Sequence, residues 1–349
     1  GHEGAGEHGV SRPLEDGVRL AGEQRLVDLQ ALGGRHLAVH HDLVPGAQHQ
    51  EVVEARARLD DKVKQLTALF DALSAEATAI LPKVHGNLGD LIGIDGSLID
   101  AVLSMHWADY RDGAKKAKTH LGFNINQGIP AKIFLTDGKA DERPFVSQIL
   151  SEGQTGVMDR YYQCHKNFDL WQREKKHFIC RIRANTRKTV IRANEVLPGG
   201  IVFYDAVVLL GTKDVNQTKE EVRVVGYHVD GHDYWVATDR HDLTAEEVAT
   251  AYKLRWNIET FFGWWKQHLK VYHLIARSQH GLMVQILAGL ITYLLLAIYC
   301  HNEHKEKVSI KRVRELRFKI KNEAAAIAEM DSGRYQGNDT DPQNLYAKT

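Results

Sequence analysis

The chain has 349 residues, which is long enough for one or two domains with a large buried core. Hydrophobic residues make up 43% of it and charged residues 26%, an ordinary globular composition. Its 45 basic and 45 acidic residues give zero formal net charge, which excludes a chain that is basic overall. The basic residues cluster in segments 111–118 and 309–321, which are either solvated surface or tracks for phosphate groups.

The cysteine pattern predicts a reduced, cytoplasmic protein. The three cysteines are Cys164, Cys180 and Cys300, and none belongs to a CxxC pair. This spacing argues against both a disulfide framework and a zinc knuckle. The N-terminal residues show no signal-peptide pattern.

Residues 1–50 differ in composition from the rest of the chain. They contain no Lys, Ile, Asn, Thr, Met, Cys or aromatic residue, so they have little from which to build a core. One hypothesis is that this stretch is not native coding sequence, and the other is that it is a variable or disordered extension. His36, His40 and His41 include a helical i,i+4 spacing that would suit a metal. The odd composition of the segment argues against that use.

The next elements are a helix and three strands. Residues 51–82 carry Leu and Val at a spacing of three or four, which predicts a helix. Segment 87–102 then predicts a buried strand with Asp95 at or near its end. The sequences "THLGFNI" and "PAKIFLTDG" alternate in polarity and predict two further strands, joined by the turn "NQG".

A second strand-then-Asp pattern and a β-rich region follow. "TGVMDRYYQC" predicts a short strand that ends before Asp159, and "DLWQREKKHFICRIRANT" predicts a helix and then a strand. Residues 178–239 contain several short β-like runs separated by Gly, Asp and Asn turns, which predicts an antiparallel region. Thr244 with Glu247 three residues later is a capping-box pattern that predicts the start of a helix.

That helix is predicted to carry a polar stripe beside its apolar face. Tyr252, Arg255, Glu259 and Lys266 fall within an arc of about 60° at about 100° per residue. The bland interpretation is a solvated helix with an Arg255–Glu259 ion pair at i,i+4. The functional interpretation is a carboxylate held rigidly between cations at the edge of a core.

Three carboxylates are candidates for a metal site: Asp95, Asp159 and Glu259. Hard divalent cations prefer clustered oxygen ligands, and two such ions about 3.5–4 Å apart can promote phosphodiester cleavage. Each aspartate taken alone is equally a turn or cap residue, and the Asp95-Gly96 pair is a common turn sequence.

The segment "LMVQILAGLITYLLLAIYC" at 282–300 is about long enough to span a bilayer. It is a single such segment, it follows a long polar region, and it contains Gln285, Gly289 and Thr292. A helix that is apolar all round is also typical of a large buried core. We favour the buried helix.

These motifs together resemble the DDE transposases of bacterial insertion sequences, in the group numbered four. That group carries a Tyr-x2-Arg-x3-Glu-x6-Lys signature, which this chain matches with Tyr252, Arg255, Glu259 and Lys266. "IGIDGSLID" is similar to the strand of the first Asp, and "AKTHLGF" and "IFLTDGKADERPF" are similar to the strands after it. "GVMDRYYQ" is similar to the strand of the second Asp, where "DRGY" is more usual, so Tyr161 is a departure. The resemblance covers about residues 85–300.

The resemblance implies an α/β fold, an RNase-H-like mixed sheet flanked by helices, with a β-rich insertion before the helix of the catalytic Glu. It divides the chain into an anomalous, disordered or non-native extension (1–50), a helical segment (51–84), a catalytic domain (85–305, with the insertion at about 178–240) and a basic helix with a C-terminal tail (306–349).

The resemblance also implies the chemistry. Asp95, Asp159 and Glu259 would be catalytic and would bind two Mg²⁺ or Mn²⁺ ions. Water would attack at the end of the element to free a 3′-OH, and this 3′-OH would attack target DNA. The partners would be double-stranded DNA at the transposon ends and target, and a second copy of the chain in a homodimer. The protein would be bacterial, cytoplasmic and nucleoid-associated, without a membrane.

By the same resemblance, Tyr252, Arg255 and Lys266 would bind phosphates of the transposon end near the cut. Further DNA-binding candidates are Lys116, Lys118 and His120, for which the alternative is a solvated hairpin. Trp235 is a candidate platform for an extruded base, and its alternative is a core Trp, which we favour.

Three functions remain open on the sequence alone. The first is a metal-dependent DNA transposase. The second is an inactive or truncated remnant that binds DNA without transposing, which the odd first 50 residues motivate. The third is a membrane-anchored protein, which rests only on segment 282–300.

Overall fold

The computed structural model describes residues 45–268 and 276–331. The chain divides into two compact units, Gly1–Arg56 and Ala57–Thr349, and the β-sheet lies in the second. The expectations for residues 1–44, including the histidines at 36, 40 and 41, lie outside the described residues.

The described strands form one nine-stranded sheet in the order β3-β2-β1-β4-β5-β9-β8-β7-β6. Their bounds are β1 Leu91–Asp100, β2 Lys116–Asn124, β3 Ile129–Asp137, β4 Thr155–Met158, β5 His177–Arg181, β6 Lys188–Ala193, β7 Val202–Leu210, β8 Val222–Val229 and β9 His232–Thr238. The pairs β1–β4 and β4–β5 are parallel, and every other pair is antiparallel. The predicted strands are confirmed, and so is the antiparallel region, except that its first strand β5 is parallel to β4 on one side.

Helices cover both faces of this sheet. Their bounds are α1 Pro45–Ile80, α2 Val146–Ile149, α3 His165–Arg173, α4 Ala245–Lys253, α5 Trp256–His268, α6 Gln279–His304 and α7 Ile310–Asp331. Alternate residues of each strand point to opposite faces, so β1 contributes Leu91 to one core cluster and Ile92 to the other. The first cluster also takes residues from α1, α4, α5 and α6, and the second takes residues from α2 and α3. A sheet covered on both faces explains why its central strands read as continuous apolar runs.

The helix predicted from residue 244 is two helices, so that prediction is wrong in part. The start is confirmed, because Thr244 and Glu247 form a reciprocal capping box. The chain then tightens between α4 and α5, where the Arg255 N–H donates to the Tyr252 carbonyl (3.0 Å) and the Ile258 N–H to the Arg255 carbonyl (3.1 Å). These are i to i−3 bonds, typical of a short 3₁₀ turn.

No residue pattern predicts this break, because Leu254 and Arg255 are good helix formers and no Gly or Pro interrupts them. A second correction concerns Asp95, which was expected at or near the end of its strand. It is the fifth of the ten residues of β1, since pairing with β2 continues to Asp100.

The apolar helix α6 packs against strand β3 and contributes to the core cluster on one face of the sheet. By length and composition it could cross a membrane, and 44% of its most apolar window is buried within the fold. Its Tyr293 hydroxyl donates to the Gly128 carbonyl (3.0 Å) in the turn between β2 and β3. One face contributes to the core cluster that also contains α5: Leu282, Ile286, Leu287, Leu290 and Leu294. This packing favours the buried-helix interpretation.

Candidate active site

The fold brings Asp95 and Asp159 together. Strands β1 and β4 are parallel neighbours, and Ile94 is paired with Met158 in their register. Asp95 and Asp159 each follow these paired residues, so the two side chains lie side by side on the same face. The Gly96 N–H donates to Asp95 Oδ1 (2.9 Å), and the Tyr161 N–H donates to Asp159 Oδ1 (2.8 Å).

The electrostatics of this pair are unfavourable without a cation. Burial raises the pKa of Asp95 to about 7, and the negative charges of Asp159 and Glu142 contribute to the rise. Arg255 and the Gly96 N–H oppose it but do not cancel it. A buried carboxylate with a second carboxylate beside it is a donor set that a divalent cation fits, because the charge of the cation neutralises both.

Glu259 lies in the first turn of α5, which crosses the same face of the sheet. Ile258 packs over Gly93, two residues before Asp95, where a glycine leaves room for the helix. The Glu259 carboxylate pairs with Arg255, with Nη2 and Oε1 separated by 2.7 Å. Arg255 also interacts electrostatically with Asp95, so its guanidinium is near both Asp95 and Glu259.

Two of the three predicted metal ligands, Asp95 and Asp159, are therefore neighbours in the structure. The third, Glu259, forms an ion pair with Arg255 nearby. Within residues 45–268 and 276–331, no three His, Cys, Asp or Glu side chains are grouped so that they could hold a metal ion. Asp95 and Asp159 fit a cation, and Glu259 is turned to Arg255 because the two opposite charges attract.

The other two signature residues are positioned by backbone and ring contacts. Tyr252 is almost buried, and Arg255 lies over its ring at 5.8 Å from the centroid. Lys266 donates from Nζ to the Leu98 carbonyl of β1 (3.0 Å), beyond Asp95, and burial lowers its pKa. The four signature residues therefore span two helices and the turn between them rather than one helix, with Tyr252 in α4, Arg255 in the turn, and Glu259 and Lys266 in α5.

The hairpin candidates for DNA binding divide into two groups. Lys116 is partly exposed and pairs with Asp100 (2.6 Å), and Lys118 is 11% exposed and pairs with Glu142 (3.3 Å). The structure corrects the prediction that His120 contacts DNA, because His120 is 1% exposed and its ring stacks on Phe145 with the centroids 4.1 Å apart. Burial lowers the pKa of His120 to about 4, so it is a neutral core residue that DNA cannot reach.

Trp235 lies in β9 among other rings. It packs against Phe203 and Tyr204, and the Lys188 ammonium lies 4.2 Å from its ring centroid. This partly buried setting agrees with the core interpretation. Base stacking on Trp235 stays a prediction that the contacts do not favour.

Sequence reasoning missed Glu142. Its carboxylate lies against Gly96, where an added side chain would overlap it, and it accepts a hydrogen bond from the Tyr162 hydroxyl (2.7 Å). The approach to Gly96 places a third negative charge near Asp95, which contributes to the raised pKa of that aspartate. The acidic "ADERPF" stretch was the available signal, but nothing in its spacing showed that it folds back over β1.

Comparison with known proteins agrees with this geometry. Residues 87–295, more than half of the chain, match the family described as transposase DDE domain. The chain belongs to this family. Membership implies a general dependence on divalent metal ions, which fits the Asp95–Asp159 pair.

Similar proteins include transposases of insertion sequences. The chain is 28% identical over 209 residues to a probable transposase for insertion sequence element IS5377 from Geobacillus stearothermophilus, covering 58% of this chain and 55% of that protein. It is 23% identical over 220 residues to a putative transposase for insertion sequence element IS4SA from Synechocystis, covering 60% of each. The chain thus spans little more than half the length of the relatives it matches.

Among solved structures, the chain is similar to the piggyBac transposase in a synaptic complex with hairpin DNA. The TM-score is 0.37 and the sequence identity 11%, over 64% of this chain and 50% of that one.

Proposed function

We propose that this protein is a DNA transposase that cleaves the ends of an insertion sequence and transfers the freed strand into target DNA. The observation that carries the proposal is that Asp95 in β1 and Asp159 directly after β4 lie side by side, close to the turn that carries Arg255 and the helix that carries Glu259. We assign the protein to the group numbered four, on the basis of its Tyr-Arg-Glu-Lys signature. We also propose an RNase-H-like catalytic domain in which β6–β9 form the insertion, which the mixed sheet with helices on both faces supports.

Asp95, Asp159 and Glu259 would hold two Mg²⁺ or Mn²⁺ ions, which when bound activate the attacking oxygen and stabilise the leaving one. The chain's own contribution is to hold the carboxylates in place. The Gly96 and Tyr161 N–H groups each fix one carboxylate oxygen of an aspartate. The Arg255 guanidinium fixes Glu259.

The cations of the signature would bind the phosphates of the transposon end. Arg255 is 14% exposed and is held by Glu259, so its position is set before DNA arrives. Lys266 is held at Leu98, and a lysine whose pKa burial lowers gains from a neighbouring phosphate, which restores its charged form. Cations beside carboxylates are expected when the substrate is a polyanion.

The partners in this proposal are double-stranded DNA at the ends and at the target, and a second copy of the chain, because two ends are processed together. We place the protein in the bacterial cytoplasm, near the nucleoid and outside the membrane. An inactive remnant that only binds DNA is the competing outcome of the test below.

The test is a nicking assay on supercoiled plasmid that carries the element's own ends, with Mg²⁺, Mn²⁺ or EDTA. We expect cuts at the ends that require metal and disappear in Glu259→Gln, while affinity for the end DNA is retained. The matched control is Glu195→Gln, which makes the same chemical change at an exposed loop position. Normal cutting by Glu259→Gln would contradict the site. A folded wild-type protein that binds the ends without cutting them would be the remnant.

A further inference from the structure

A basic cavity lies next to the candidate active site, and its lining includes Arg160 and Tyr161, the two residues that follow Asp159. It has a volume of about 440 Å³, and its walls come from the residues after β4, the start of α3 and the turn after β5. The basic side chains that line it include Arg143, Arg160, Lys166 and Arg183. No Asp or Glu is among the described residues that line it.

Most of this positive charge is not compensated. Asp141 binds Arg143, with Nε at 3.0 Å from each carboxylate oxygen. Arg160, Lys166 and Arg183 are exposed, and in the described part of the chain none of them has a carboxylate within ion-pair distance. Like charges gathered around one cavity repel each other, and a chain of phosphates relieves that repulsion.

The walls of the cavity are fixed by hydrogen bonds that do not use these cations. The Arg183 N–H donates to Gln163 Oε1 (2.9 Å), and Gln163 Nε2 donates to Thr186 Oγ1 (3.0 Å). His165 Nδ1 donates to the Asn216 carbonyl (2.7 Å). The backbone that carries the cations is therefore held in place, while their charged ends face solvent.

An exposed aromatic ring stands at the edge of this cavity. Tyr161 is 51% exposed, although its own backbone N–H is held by Asp159. It also lines a second cavity of about 420 Å³, which reaches Gly96, Lys118 and Lys266 beside Asp95. Tyr161 therefore belongs to the walls of both cavities, one of which adjoins Asp95 through Gly96.

We propose that the groove formed by Tyr161, Arg160, Lys166 and Arg183 binds a single-stranded segment of DNA. The cations contact successive phosphates, and an unpaired base stacks on the Tyr161 ring, as in single-strand-binding grooves that combine basic walls with aromatic platforms. A duplex does not offer an open base face to such a ring. This inference rests on the proposed function, since a cut near Asp159 creates a strand end that can separate from its complement and enter the groove.

The test measures the fluorescence anisotropy of a labelled short single strand and of the same sequence as a duplex, in EDTA so that no cleavage occurs. We expect Tyr161→Leu to weaken single-strand binding about tenfold, the effect of losing one stacked base. Duplex affinity should change less than about twofold, and Tyr161→Phe, which keeps the ring, should bind like the wild type.

The phosphate contacts have their own readout. Lys166→Gln and Arg183→Gln should each reduce the slope of log K against log salt by about 0.7 for the single strand. Arg173→Gln is the matched control, because it removes an exposed cation at the opposite end of the same helix α3. It should leave the slope unchanged.

Three results would overturn the inference. They are single-strand affinity that Tyr161→Leu does not reduce, an equal loss for duplex and single strand, and the same loss of slope in Arg173→Gln as in Lys166→Gln. These outcomes are separate from the failure of the proposed function, because binding is measured without metal. A protein that cuts DNA but fails this binding test would still be the proposed transposase without the single-strand groove. A protein that passes the binding test but does not cut DNA would be an inactive remnant that still binds single strands.

Discussion

Two aspartates in the same sheet show how differently a fold can treat a carboxylate. Asp205 in β7 accepts a bidentate pair of hydrogen bonds from Arg223 in β8, from Nε to Oδ1 (2.9 Å) and from Nη2 to Oδ2 (2.8 Å). Asn194 Nδ2 also donates to Asp205 Oδ1 (3.0 Å). Burial acts to raise its pKa, but these partners hold it below the ordinary value. Asp95 in β1 has no such partner among the described residues, and its pKa is raised to about 7 by burial and by Asp159 and Glu142.

The difference is the one expected between a structural carboxylate, Asp205, and the metal-binding carboxylate that we propose Asp95 to be. A buried charge that serves stability is neutralised within the fold, because an unpaired buried charge is costly. The charge of a carboxylate that binds a cation is not neutralised within the fold, so the protein is less stable until the cation binds. Three substitutions test this contrast.

The largest expected effect on stability comes from Arg223→Met. The two side chains of this pair are only 8% and 6% exposed, so the substitution leaves the Asp205 charge buried without its partner. We expect the free energy of unfolding in urea to fall by about 3–5 kcal/mol. Arg192→Met in β6 is the control, because Arg192 is exposed, and it should cost less than about 0.5 kcal/mol. If Arg223→Met lowers the free energy of unfolding as little as the control does, the Asp205–Arg223 pair does not serve stability and the contrast with Asp95 fails.

The second prediction concerns the pH dependence of stability in EDTA. A carboxyl whose pKa rises from 3.8 unfolded to about 7 folded favours the native state at low pH. That stability is lost as the pH rises, by up to about 1.4 kcal/mol per pH unit between roughly pH 4 and pH 7. Asp95→Asn should abolish this slope and be at least as stable as the wild type at pH 8. Urea unfolding at pH 5 and pH 8 measures it.

A divalent cation should have the same effect on the wild type as removing the charge. Adding Mn²⁺ at pH 8 should stabilise the wild type and leave Asp95→Asn unchanged, because binding to the native state alone shifts the unfolding equilibrium. If the free energy of unfolding depends on pH equally in Asp95→Asn and the wild type, the pKa of Asp95 is not raised by the fold.

Much of this site was predictable from the sequence, and the limits have physical causes. Asp95 and Asp159 each follow an apolar run, which was enough to associate both with buried strands, although Asp95 lies within β1 and only Asp159 follows its strand. The break at Leu254 and Arg255 could not be predicted, since tertiary packing against β1 overrides good helix propensity. The burial of His120 depends on Phe145, which comes from a segment 25 residues later and folds over β2. Glu142 was missed for the same reason, because the sequence carries no record of which segment covers Gly96.

The smallest expected effect on stability is that of Glu259→Gln, the substitution expected to abolish cleavage. Glu259 is 32% exposed, and Gln at this position keeps a side-chain oxygen that can accept a hydrogen bond from Arg255, so that mainly the charge of the pair is lost. Urea unfolding in EDTA should therefore give a free energy within about 1 kcal/mol of the wild type. The same protein should fail to nick plasmid with Mg²⁺ or Mn²⁺. A loss of stability as large as that of Arg223→Met would instead place Glu259 with Asp205, as a carboxylate that the fold needs for its own sake.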